Sequence, residues 1–144
     1  MYRWITTAIV AILLAGMAQA PQFSIRAASQ DPVTGWAQME LDNRVVWVSP
    51  TVSLTAADIE KAEAVTTPDG KKAIAIELTD GGADKMRRLS AAQMDKLIAM
   101  VLDGKLIWAP RVRSEIGKQG MITGNGPNGL DDETIQRILS SLKR

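Results

Sequence analysis

The sequence predicts an α+β domain: a mostly antiparallel sheet with two or three helices packed on one face. Three stretches carry that prediction. In WAQMELDNRVVWVS (36–49), Ala37, Met39 and Leu41 alternate with Gln38, Glu40 and Asp42, then Asp42-Asn43 turns the chain into a β-branched return. Period-two alternation marks a half-buried strand. In KLIAMVLDGKLIWAP (96–110), both faces of Leu97 to Leu102 are apolar, as in a central strand, and Asp103-Gly104 is a favoured two-residue hairpin turn. In LDDETIQRILSSLKR (130–144), Ile135, Ile138, Leu139 and Leu142 fall at i, i+3, i+4 and i+7, the stripe of a helix packed on a core.

The chain opens with MYRWITTAIVAILLAGMAQA, one basic residue at Arg3 and then an uncharged run ending in small residues. That is the layout of a secretory signal peptide, and the run falls short of the roughly 20 apolar residues of a bilayer-spanning helix. An uncleaved N-terminal anchor is the alternative. Cleavage after Ala20 places Pro21 beyond the cut, whereas cleavage after Ala18 avoids it. Residues 1–20 are thus expected to direct export, to the periplasm or outside the cell, with membrane contact only if they are retained.

Residues 21–35, PQFSIRAASQDPVTG, contain prolines and polar residues and read as a linker, so the domain is expected over 36–144. After the first hairpin and Pro50, Thr55 and Asp58 stand in capping-box spacing, which predicts a short helix from about Ala56 to Ala62. AVTTPDGKKAIAIELT predicts a hairpin turned by Pro68-Asp69-Gly70, with Ile74, Ile76 and Leu78 on one face. A second helix follows Asp80 and the two glycines, burying Ala83, Met86 and Leu89. RVRSEIGKQGMITG continues as an extended segment. LDNRVVW (41–47) and LDGKLIW (102–108) match in kind at every position. Both are hairpins, whether by convergence or as related half-units.

The composition narrows the chemistry. The 144 residues carry 17 basic and 16 acidic groups, and without Arg3 of the leader the balance is 16 against 16. A neutral domain lacks the positive field of a nucleic-acid binder. With no His and no Cys, the commonest general base and the thiolate nucleophile are both missing, and so are the imidazole and thiolate metal ligands. No lipid-modified cysteine is available either. Ser90 with Lys96, and Ser114 with Lys118, are the nearest serine–base pairs and stand in no catalytic motif. Asp131-Asp132-Glu133 is dense enough to suggest a metal, but carboxylates just before a helix are better explained as caps. No enzyme, cofactor or metal is therefore expected.

GNGPNG (124–129) spells the G-x-G-x-x-G dinucleotide fingerprint. It fails the context test. Pro127 stiffens its middle, and the 15 residues after it cannot supply a βαβ unit with a ribose-binding acid. A turn leading into the last helix is the expected role.

The order LDGKLIWAPRVRSEIGKQGMITG resembles the head subdomain of the first extracytoplasmic domain of SecD, an auxiliary subunit of the Sec export machinery. The matching positions are Leu102-Asp103-Gly104, Ala109-Pro110, Ile116, Gly120 and Ile122-Thr123-Gly124. Upstream, Leu54-Thr55, Asp58-Ile59, Ala62, Leu78-Thr79, Gly82-Ala83 and Leu89-Ser90 also fit, so the resemblance spans about residues 36–142. The family's membrane helices and the base region beneath the head have no counterpart in this sequence, and Asn125-Gly126-Pro127 depart from its usual pattern.

The resemblance implies a non-enzymatic exported binding module that contacts extended polypeptide during export. The alternative is an envelope protein–protein interaction domain that uses the same fold without a role in translocation. With the sheet and helices arranged in ferredoxin-like style, the sheet edges are where a polypeptide would add. Trp108, Arg111 and Arg113 are the candidate partner-binding residues. The arginines stand two apart on one face of an extended segment, where the ordinary reading is a charged edge strand that resists aggregation. Trp36, Trp47 and Trp108 all fall in expected strands, where core packing is the default.

Overall fold

The computed structural model describes residues 22–142; the expected leader, 1–20, lies outside them. The described residues form nine strands and two α-helices, the strands in two antiparallel sheets. The fold is α+β and mostly antiparallel, as expected, but the strands do not form one sheet.

The first sheet has the order β2-β3-β1-β7-β8. Its centre is β1 (Phe23–Ser29), within the stretch expected to be a linker. FSIRAAS alternates Phe23, Ile25 and Ala27 with Ser24 and Arg26, a strand pattern hidden between the prolines at 21 and 32. Its one charged residue is satisfied, because the Arg26 guanidinium donates to Ser24 Oγ and to the carbonyls of Ser49 and Pro50. β1 pairs from Phe23↔Leu102 to Ala28↔Leu97 with β7 (Leu97–Leu102). Its other edge is shared by β4 (Leu54–Thr55) at one end and β3 (Arg44–Val48) at the other.

β2 (Ala37–Leu41) with β3, and β7 with β8 (Lys105–Trp108), are two of the three expected hairpins. Their turns hold Asp42 and Asn43 at φ 51° and 63°, and Asp103 and Gly104 at φ 51° and 79°. Those left-handed pairs match the twist of the flanking strands, and Asp, Asn and Gly tolerate them best. The sheet coils until β2 lies against β8.

The second sheet has the order β5-β6-β9, from β5 (Ile59–Thr66), β6 (Lys72–Leu78) and β9 (Gln119–Ile122). The helix expected from Ala56 is a single 3-10 turn, Ala56–Asp58, and β5 follows at once. The capping box itself forms: Thr55 accepts from the Ala57 N–H, and Asp58 accepts from the Thr55 N–H. A capping box fixes only the first turn, and here no helix follows it. In β5 a bulge between Ile59 and Lys61 puts Ile59 and Ala62 opposite Leu78 and Ile76.

Helix α1 (Asp80–Ala92) is capped by Thr79, whose Oγ accepts from the Gly82 N–H at 2.9 Å. It buries Ala83, Met86 and Leu89 as expected. Helix α2 (Asp132–Leu142) begins at Asp131, whose Oδ1 accepts from the Thr134 N–H at 2.7 Å. That bond holds the Asp131 carboxyl below its usual range. Both helices feed the core between the sheets, where Ile25, Leu54, Ile74, Ile98, Leu102, Ile122 and Ile138 are fully enclosed. A second, smaller cluster of Val46, Val48, Leu97, Ala99 and Val101 fills the coil of the first sheet. β7 separates the two, so its six residues are buried on both faces.

Candidate functional site

The segment after β8 builds the site. Ala109-Pro110 ends the strand, and the chain then runs back past the start of β7, where Val112 N donates to Lys96 O and Asp95 N donates to Val112 O. Val112 is buried while Arg111 and Arg113 are exposed, so the two arginines share the outward face as their spacing predicts. Ile116 is then fixed from below by Ser90, which is wholly buried in α1. Its Oγ donates to Met86 O at 2.8 Å and accepts from Ile116 N at 2.9 Å. A hydroxyl committed in both directions cannot serve as a nucleophile, and Ser90 is a structural clamp.

Between this segment, α1 and the two sheets lies an apolar pocket of about 210 Å³. Its floor is Ile76, Met86, Ile98 and Met100, all buried, and its rim is Trp108, Pro110, Arg111, Ile116, Gly120 and Met121. Met121 is 46% exposed, high for a large apolar side chain. Three of the lining residues are methionines, whose flexible, polarizable side chains adapt to varied apolar shapes.

The structure therefore brings Trp108 and Arg111 together on one rim. Arg113 is not among the lining residues. Neither the methionines nor Ile116 could be singled out from sequence as pocket residues, because they come from separate segments that only the fold assembles. Arg111 is partly committed, donating to the Asp95 carbonyl at 2.6 Å. Arg113 is exposed and holds no ion-pair partner among the described residues.

β9 forms one wall of the pocket and is also an edge of the second sheet. A broad open groove crosses that sheet over Lys61, Glu63, Glu77 and Gln119, and it shares Ile76, Gly120 and Met121 with the pocket. Pocket, groove and unpaired strand edge thus meet at Gly120-Met121.

GNGPNG is a bracket against β6. Lys72 N donates to Asn128 O, Leu130 N donates to Lys72 O, and Gly129 N donates to Gly126 O. Gly129 has φ 84°, and a Cβ there would stand 2.1 Å from the Lys72 carbonyl oxygen. Only glycine fits this contact. Asp131 already occupies an N–H of the following helix, where its negative charge would oppose a phosphate. Asp132 pairs with Lys72 at 2.7 Å. Among the described residues no group of three or more acidic side chains stands close enough to hold a metal ion.

The chain belongs to the SecDF P1 head subdomain family: its residues 33–129 match that family's model. Among individual relatives, it is 40% identical over 95 residues to the protein translocase subunit SecD of Sebaldella termitidis. That match covers 65% of this chain and 22% of the relative. It is 34% identical over 73 residues to SecD of Acidaminococcus fermentans, covering 50% of this chain and 18% of the relative. The chain thus spans about a fifth of these proteins' length.

Two solved structures share the fold over 86% of the chain. One is SecDF in its super-membrane-facing form (TM-score 0.66, 24% identity, 19% of that chain). The other is described as a membrane component that enhances protein export (TM-score 0.64, 23% identity, 62% of that chain).

Proposed function

We propose that this chain is a non-enzymatic, exported binding module that holds extended polypeptide, with the domain proper supplied by the residues from β1 onward. The observation that carries the reading is the meeting of an adaptable apolar pocket with a free strand edge at Gly120-Met121. A polypeptide can lie along β9 by backbone hydrogen bonds and drop one apolar side chain into the pocket, which combines sequence-independent grip with a preference for apolar anchors. Export of unfolded chains calls for that tolerance. Arg111 and Arg113 favour clients with acidic residues beside the anchor. Recognition needs no cofactor, metal or nucleic acid, and residues 1–20 carry the chain to the periplasm or beyond.

Photocrosslinking tests the reading. A crosslinker placed at Met121 of the purified protein should capture a permanently unfolded client, such as a reduced and alkylated secretory protein, and one placed at Val52, exposed in the loop between β3 and β4, should not. Arg111→Glu with Arg113→Glu should weaken capture of acidic clients most. Equal capture from both positions, or none from Met121, defeats the proposal.

A further inference from the structure

We infer that Asn125, the second residue of GNGPNG, is a positioning residue that sets the pocket's selectivity by holding the Trp108 ring on its rim. The inference rests on the pocket being the place of polypeptide contact.

Trp108 Nε1 donates to Asn125 Oδ1 at 3.1 Å, and Asn125 Nδ2 donates to Asp42 Oδ2 at 3.5 Å. The chemistry fixes the direction of this chain. An indole N–H only donates and an ionised carboxylate only accepts, so the residue between them must do both, which an amide does in one orientation. Three elements meet here: β8, the β2–β3 turn and the bracket against β6.

The support is stiff at each end. The bracket is tied to Lys72 by two backbone bonds, and it packs so closely that a Cβ at Gly124, Gly126 or Gly129 would clash with its neighbours. The Asp42 turn is a two-residue left-handed hairpin. Trp108 itself is half-buried and packs against the main core. Its ring can swing about its side-chain torsions unless something holds the far edge. Asn125 is that hold. With the latch closed, the ring is a fixed wall and the pocket keeps room for one apolar side chain. With the latch open, the ring can occupy that space itself.

The test exchanges the two partners' chemistry. Asn125→Asp keeps an acceptor for Trp108 but sets a carboxylate against Asp42, and should open the latch. Adding Asp42→Asn restores a donor, because the amide introduced in the turn can then donate to the carboxylate introduced in the bracket, which still accepts from Trp108. The left-handed backbone at 42 suits asparagine. Two peptides of glycine and serine serve as probes, alike except for one central Leu or Ala. The leucine-over-alanine preference in Kd should fall by about threefold to tenfold in Asn125→Asp, the range of one hydrogen bond, and return in the double variant. The Trp108 indole N–H resonance, assigned by its loss in Trp108→Phe, should shift and return in step.

An unchanged preference in Asn125→Asp, or a double variant that fails to restore it, overturns the inference. If the wild type shows no preference for leucine, the pocket reading falls and the claim of selectivity falls with it. The indole resonance then tells the two failures apart, since it moves and returns only if the latch exists.

Discussion

Arg111 and Arg113 look interchangeable in the sequence, yet they are committed to different degrees. Arg111 helps hold Asp95, a non-glycine residue at φ 62°, through its carbonyl. Replacing Arg111 by Glu should therefore lower the melting temperature as well as weaken binding. Replacing Arg113 by Glu should leave the melting temperature unchanged and weaken only acidic clients, with the difference fading in high salt as exposed charges are screened. Thermal melts beside client titrations separate the two.

Gly129→Ala should cost at least about 1–2 kcal/mol for the left-handed backbone alone. The total should be larger, because the Lys72 carbonyl must move aside; denaturant unfolding measures it. Asp131 gives a pH signature. Its folded-state pKa is depressed by the Thr134 N–H, so its stabilisation is complete above the unfolded value of about 4 and is lost as pH falls through the folded one. Asp131→Asn keeps a cap but cannot titrate, so melting temperature plotted against pH should fall less steeply below about pH 4 in the variant.

At the scale of elements, α1 meets the 3-10 turn in a tight joint. A Cβ on Gly82 would stand 2.5 Å from the Asp58 carbonyl oxygen, which itself accepts from Thr79 N, and Lys85 bonds Asp58 Oδ1 at 2.9 Å. Gly82→Ala should push the helix off this joint, and hydrogen exchange should show α1 losing protection before β7 does.

Helices α1 and α2 are present as expected, and so are strands β2, β3, β6, β7 and β8, because their alternation and turns are local signals. Two elements escaped. The polar, proline-flanked β1 was hidden because what satisfies Arg26 comes from carbonyls at 49 and 50. At β5 the capping box of Thr55 and Asp58 forms, but it closes a single 3-10 turn and a strand follows. The candidate site was legible in part: Trp108 and Arg111 could be named, but the methionine lining could not. No local pattern says that Met86, Met100 and Met121 will converge.

For the whole molecule, the division into two sheets around one core decides what is robust and what is open. Ile98 lies at the contact of β7 with that core and also floors the pocket. Ile98→Ala should cost about 2–5 kcal/mol by denaturant unfolding, and peptide titrations should show the enlarged pocket favouring bulkier anchors. One edge of the second sheet is β9, four residues long, with Gln119 and Met121 exposed. Short edges of this kind resist self-pairing while still accepting a single strand.

The central position of β1 sets a schedule for folding. Phe23 pairs with Leu102 and Ala28 with Leu97, so the first strand of the domain closes on one that follows some seventy residues later. Whether the chain comes off a ribosome or out of a membrane channel, its N-terminal strand emerges first and has no finished sheet to join. Until β7 is clear, β1 and the β2–β3 hairpin are themselves an unfolded, apolar client. A domain proposed to hold such chains must pass through the condition of one, and a truncation ending before Leu97 should be captured by the intact protein.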